Sequence, residues 1–212
     1  MAAPRRARLS TDARREQLVA LGIEIFSERP FDEVSIDDIA AAAGISKGLL
    51  YHYFPSKRDF YVAVIRSAAD EMQALTEPDP ALEPRDRLAA ALERYLEYVE
   101  THARGYATVL RAGIGSDPAV AEIVEDVRAA MADRLLADLP VAAGEPPPAL
   151  RVAVRGWVGF VEAASLDWLE HGGLDRRELR DMLIAALGGA VNAAGGDPRA
   201  LRPVALERAP SP

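Results

Sequence analysis

The chain has 212 residues, a formal charge of −8 and no cysteine, which excludes a disulfide framework and thiolate chemistry. A simple charge rule would argue against nucleic acid as a partner, but the acidity is unevenly spread. Residues 1–60 hold nine Lys or Arg and nine Asp or Glu, so the remaining sixteen basic and twenty-four acidic residues carry all of the −8.

The first fifteen residues set Arg5, Arg6, Arg8, Arg14 and Arg15 against Asp12 alone, a local excess of +4. Such an arm is either a solvated terminus or a DNA contact. No apolar run follows it, so a signal peptide is not expected there. The first predicted helix runs from Arg14 to Arg29 with Leu18, Leu21, Ile25 and Phe26 on one face. A second starts at Ser35, whose acidic partner Asp38 makes an aspartate form of the capping box, and shows Ile36, Ile39, Ala40 and Ala43 at helical spacing. Gly44 ends it in a left-handed conformation and Ile45 packs under the turn. Ser46 caps a third helix that buries Leu49 or Leu50, Tyr53 and Phe54; Pro55 stops it, and Ser56 with Asp59 opens a fourth. Two short helices joined by about three residues form a helix-turn-helix, in which the second helix enters the major groove by its N-terminal residues.

The only two lysines, Lys47 and Lys57, both fall in the segment Gly44-Ile45-Ser46-Lys47-Gly48-Leu49-Leu50-Tyr51-His52-Tyr53-Phe54-Pro55-Ser56-Lys57. Phosphate-contacting chemistry is therefore concentrated at one point. From Thr11 to about Ile65 the chain resembles the DNA-binding domain of the tetracycline-repressor (TetR) family. The resemblance rests on Ala20, Phe26, Phe31, Val34, Ser35, Ile36, Ile39, Ala40, Ala43, Gly44, Ile45, Ser46, Gly48, Leu50, Tyr51, Tyr53, Phe54, Lys57 and Phe60. It implies an all-helical C-terminal body that binds small ligands and dimerises.

Beyond Lys57 the chain reads as helices punctuated by proline. The fourth helix reaches about Leu75, a span of about 27 Å at 1.5 Å per residue, long enough to link two domains. A loop with Pro78, Pro80 and Pro84 follows, then a helix from Arg85 with Leu88, Leu92, Tyr95, Leu96 and Val99. Residues 105–115 make a shorter helix or helix-and-turn. Ser116-Asp117-Pro118 opens the next, striped by Val120, Ile123, Val124, Val127, Met131 and Leu135. Residues 140–148 form a connector, and two last helices cover about Ala149 to His171 and Asp175 to Asn192. Residues 182–196 carry no charge but fall short of the roughly twenty residues a membrane span needs. The expectation is a soluble cytoplasmic all-α protein with no membrane partner. It has an N-terminal arm and three-helix helix-turn-helix domain over 1–56, a larger helical ligand-binding and dimerisation domain over 57–194, and a disordered tail over 195–212.

Ser35 and Lys57, at or next to helix N-termini, are expected on phosphates. Ser46, Lys47 and Gly48 open the recognition helix, Lys47 is the candidate for a guanine edge, and Gly48 lets the backbone approach the groove. Tyr51 is assigned to a base or phosphate, and His52 to a phosphate. Tyr95, Tyr98, Tyr106, Trp157 and Phe160 are candidates for a mostly apolar ligand pocket, against the plainer reading of core. Small residues at helical spacing allow close helix approach, so Gly156, Gly159, Ala163, Leu183, Ala186, Leu187 and Ala190 are candidates for a four-helix homodimer interface. His52, His102 and His171 lie far apart with no metal-ligand spacing, and no phosphate loop or nucleophile elbow appears, so neither a cofactor nor a metal is expected. The sequence thus predicts a dimeric repressor that binds a near-palindromic double-stranded operator and is released by a small effector. An effector-independent DNA-binding protein of the same fold is the alternative, and an enzyme on a helical bundle comes third.

Overall fold

The computed structural model describes residues 10–113, 117–139 and 145–197. Among them every regular element is helical: α1 Thr11–Glu28, α2 Ile36–Ala42, α3 Lys47–Tyr53, α4 Lys57–Leu75, α5 Pro84–Thr101, α6 Ala103–Thr108, α7 Pro118–Asp138, α8 Pro148–His171 and α9 Arg176–Ala193. A 3-10 turn, Phe31–Glu33, precedes α2, and one π turn, Val109–Gly113, continues α6. Arg5, Arg6 and Arg8 of the basic arm, and the tail beyond residue 197, lie outside the described residues.

The chain divides into two compact units within α4, at Ala68, and residues 104–120 return to the first. The sequence assigned all of α4 to the second domain. Its first half belongs to the first because Phe60, Tyr61, Val64 and Ile65 are buried there. Phe60 stacks edge-on to Phe54 with ring centres 4.9 Å apart, and Tyr61 meets Phe26 at 5.0 Å and Phe31 at 4.9 Å. Each such ring contributes about 1.5–3 kcal/mol of burial.

The buried face of α1 is Leu18, Val19, Gly22 and Phe26, with Leu21 and Ile25 only half-buried. The rotation from the expected face has a local cause. At Gly22 a Cβ would lie 2.3 Å from Val64 Cγ2 and 2.7 Å from Phe60 Cζ, so the missing side chain lets α1 and α4 touch. Arg104 donates to the Glu28 carbonyl at the end of α1 (2.7 Å). Arg58 meets Asp117 through two bonds, 2.6 Å from Nε and 2.8 Å from Nη2, while Asp117 also accepts from the Ala119 N–H (2.9 Å) at the start of α7.

In the second unit α9 packs on both α5 and α8. The turn between α8 and α9 uses Gly172 and Gly173 at positive φ (65° and 92°), and Asp175 then caps α9 with a full capping box to Glu178. Leu96, Val99, Val154, Leu183 and Leu187 are fully enclosed, and Trp157 Nε1 donates to the Leu183 carbonyl (2.8 Å). Arg128 forks onto Glu162 at 2.7 and 2.9 Å, and Glu93 accepts from Arg176 and Arg180. No helix among the described residues is long and apolar enough to cross a membrane.

Candidate nucleic-acid interface

The helix-turn-helix is built by its caps. The Ser35 hydroxyl accepts from the Asp38 N–H (3.1 Å) while Asp38 accepts from the Ser35 N–H (2.9 Å), which satisfies two amide donors of α2. Those bonds hold the Asp38 carboxyl below its ordinary range. At the other end Gly44 takes φ 63°, its N–H meets the Ala41 carbonyl (3.1 Å), and the Ile45 N–H reaches back to Ala40 (3.0 Å). This is a Schellman ending, which turns the chain without a strained side chain. Ser46 then accepts from the Leu49 N–H (3.2 Å) and starts α3.

Leu50 of α3 and Phe54, which caps its C-terminal end, point inward, at 0% and 2% exposure. Leu49, offered as an alternative to Leu50, is 40% exposed, and Tyr53 is half-buried. With the inner face taken by Leu50 and Phe54, α3 turns Ser46, Lys47, Gly48, Tyr51 and His52 outward, all exposed. Around Gly48 no atom of the described residues lies within 4 Å of a Cβ position, so the outer surface of the helix is open to them there.

The two lysines differ in kind. Lys47 Nζ pairs with the Asp37 carboxylate of α2 at 3.0 Å, a bond that raises its pKa, and both groups remain exposed. Lys57, expected on a phosphate, donates instead to the carbonyls of Phe31 (2.7 Å) and Val34 (2.8 Å), and lies 3.9 Å from the Phe31 ring centre. Two of its three donors pin the turn ahead of α2 to the start of α4, with the Phe31 carbonyl also accepting from the Val34 N–H (3.4 Å) of the 3-10 turn. Of the described arm arginines, Arg14 donates to Gln17 and Arg15 lies over the Phe54 ring at 5.0 Å. Asp37 is the residue that sequence reasoning missed. Its signal was weak, since an acidic residue beside a capping aspartate reads as a solvated first turn.

The second unit contains a cavity of about 60 Å³, whose lining includes Tyr95 and Trp157 together with Leu88, Leu92, Met131 and Leu135. Thr76, Pro78, Ala91, Arg87, Arg134 and Asp138 complete its wall. Tyr98, Tyr106 and Phe160 are not among its lining residues. Tyr98 is buried against His102, with ring centres 4.2 Å apart, and burial pushes its phenol up to about 12. Tyr106 is a half-buried residue of α6, in the first unit. Phe160 is 42% exposed on the outer side of α8, because its neighbours Trp157, Val158 and Val161 hold the inner side.

Among the candidate interface residues, Gly156, Gly159 and Ala163 are exposed on α8, beside Phe160 and the 68%-exposed Val152. Ala186 and Ala190 are half-buried. Leu183 and Leu187 are fully enclosed within the subunit and do not belong to an outer face. They sit one turn apart on the side of α9 that packs on α5 and α8, whereas Met182, next to Leu183, is exposed.

Residues 18–64 match the family described as "Bacterial regulatory proteins, tetR family", and residues 84–187 match "Tetracyclin repressor-like, C-terminal domain". The HTH-type transcriptional activator FasR of Mycolicibacterium smegmatis is 30% identical over 169 residues, 77% of this chain and 76% of that protein. The chain belongs to the TetR family. As a TetR-family member it is a DNA-binding transcriptional regulator and not an enzyme. The HTH-type transcriptional regulator EthR of Mycobacterium tuberculosis is 31% identical over 126 residues, 57% of this chain and 56% of EthR. Among solved structures, a tetR-family transcriptional regulator from Streptomyces coelicolor superposes with a TM-score of 0.81 at 33% identity, covering 88% of this chain and 84% of that one.

Proposed function

We propose that this TetR-family regulator is a homodimeric repressor. It reads a near-palindromic operator with the outer face of α3 and releases it when a small, mostly apolar ligand occupies the cavity of the second unit. The observation that carries the DNA half is the division of α3 into a buried side, Leu50 and Phe54, and an exposed side bearing Ser46, Lys47, Gly48, Tyr51 and His52. Ser35 and Ser46, which cap successive helices, orient backbone N–H groups toward phosphate, and Lys47 at the first position of α3 reaches a guanine edge by exchanging Asp37 for the base. Lys57 contributes its remaining donor to a phosphate and holds the turn that carries Ser35. The exposed apolar strip of α8, Val152, Gly156, Gly159, Phe160 and Ala163, supports self-association, and half-site centres then fall about 34–36 Å apart.

The test is selection of bound duplexes from a random pool, followed by titration of the selected duplex and a shuffled one across a salt series. Lys47→Ala should cost about 1–3 kcal/mol on the selected duplex and relax its sequence preference. Failure to enrich any sequence, or equal loss on both duplexes, would reject base reading by α3. Effector action obeys linkage, so a ligand that releases the operator must itself bind more weakly, by the same factor, to the DNA-bound protein. If no cavity ligand alters operator affinity, the effector-independent reading stands instead.

A further inference from the structure

The cavity wall carries three charged side chains, Arg87, Arg134 and Asp138, which sum to +1 in a chain whose total is −8. Each nitrogen of Arg87 has a partner: Nη1 meets Asp138 at 3.1 Å, Nε meets the Leu82 carbonyl at 2.9 Å, and Nη2 meets the Pro80 carbonyl at 3.3 Å. Arg134 lies one turn before Asp138 on α7, yet that carboxylate turns to Arg87 instead. Among the described residues Arg134 has one partner, the Gln73 carbonyl at 3.2 Å, and no carboxylate pairs with it. A guanidinium offers five donors and stays charged at any physiological pH. Half-buried beside Leu92, Met131 and Trp157, it keeps part of its hydration but meets no counter-charge among the described residues, so an anion entering the cavity finds a partly desolvated guanidinium.

We propose that Arg134 selects the ligand class of this cavity: an amphiphile with an apolar body and one oxyanion head, a carboxylate in the simplest case, whose head forks onto Arg134 and whose tail lies along Leu92, Met131 and Trp157. The single excess charge favours a monoanion over a dianion, and the same charge disfavours an organic cation. This rests on the reading of the cavity as the effector site.

The experiment uses the full-length protein with Trp168→Phe, which leaves Trp157 on the cavity wall as the single indole. Hexanoate, 1-hexanol and hexylamine, equal in carbon count and differing in head charge, are titrated by Trp157 fluorescence and by calorimetry. Hexanoate should bind at least about tenfold more tightly than hexanol, and hexylamine more weakly than either. Arg134→Gln should abolish the preference for hexanoate while leaving hexanol binding within about twofold. Asp138→Asn raises the wall charge from +1 to +2 and should tighten hexanoate, the opposite of what a merely structural loss would give. Equal binding of hexanoate and hexanol, or a weaker hexanoate in Asp138→Asn, would overturn the anion assignment and leave the effector site standing. If none of the three probes perturbs Trp157, the effector-site reading fails and the assignment falls with it.

Discussion

Replacing Gly22 by alanine tests the packing of the first unit at its tightest point. The new methyl would sit 2.3 Å from Val64 Cγ2 and 2.7 Å from Phe60 Cζ, against an ordinary carbon–carbon separation of about 3.5–4.0 Å. Neither neighbour has space to retreat, since Val64 is 2% and Phe60 0% exposed, so α1 and α4 must separate. Overpacking of this kind costs about 1–3 kcal/mol, while alanine in place of glycine inside a helix offsets about 1 kcal/mol of that. Gly22→Ala should therefore destabilise the first unit by up to about 2 kcal/mol. Val64→Ala alone should also destabilise, by about 0.8 kcal/mol for each lost methyl plus a cavity cost. Together the two should cost less than their sum by about 1 kcal/mol or more, because removing Cγ2 relieves the closer of the two clashes. Both tryptophans, Trp157 and Trp168, belong to the second unit, so their fluorescence is a poor reporter. Hydrogen exchange of the α1 and α4 amides across a urea series is the suitable assay. A Gly22→Ala protein stabilised by the propensity gain, or strict additivity in the double variant, would refute the described approach of α1 to α4.

Three further outcomes are expected. Gly159→Arg should leave the subunit folded, since nothing lies within 4 Å of its Cβ position, yet give monomers by light scattering; a dimer of undiminished stability would remove α8 from the interface. The Ser165 hydroxyl is fully buried and has no hydrogen-bond partner among the described residues, so Ser165→Ala should leave the melting temperature unchanged or raise it, by about 1 kcal/mol in stability, and a clear loss would mean the hydroxyl is satisfied. The Arg58 guanidinium and the Ala119 N–H hold the Asp117 carboxyl below its ordinary value of 3.8. A depressed pKa in the folded state gives stability that is present above the ordinary value and is lost as pH falls through the folded one. The first unit should therefore loosen in acid below about pH 4, and Asp117→Asn should flatten that step in exchange-rate profiles.

The parts of the site that could be read from sequence are those encoded locally. Ser35 with Asp38, Ser46, Gly44 and Asp175 each act on amides or carbonyls within about five residues, so their roles follow from spacing alone. What could not be read depends on partners distant in sequence. Leu49 and Leu50 are equally apolar, and the tertiary packing that buries Leu50 and leaves Leu49 40% exposed is not written in their spacing. Lys57 finds its carbonyls 26 and 23 residues back, a pairing that no periodicity announces. The cavity draws its wall from a loop and three helices, so an aromatic stripe set Tyr95 and Trp157, which line it, on the same footing as Tyr98, Tyr106 and Phe160, which do not. Leu183 and Leu187 illustrate the same limit, because small and large apolar residues alternate on α9 and the sequence does not say which side meets its own subunit.

The unequal commitments of the two lysines make the protein its own footprinting reagent. Apart from the α-amine, an acylating reagent has two amines to attack. Lys47 is half exposed and held by one solvated carboxylate, whereas Lys57 is held by two carbonyls and an aromatic ring. Brief treatment should therefore mark Lys47 first, and bound duplex should shield it. A single mass measurement on the tryptic fragments then gives operator occupancy without labelling the DNA. Slow modification of Lys57 in a duplex-free sample requires release of its two carbonyls, so there the same reagent reports opening of the turn ahead of α2.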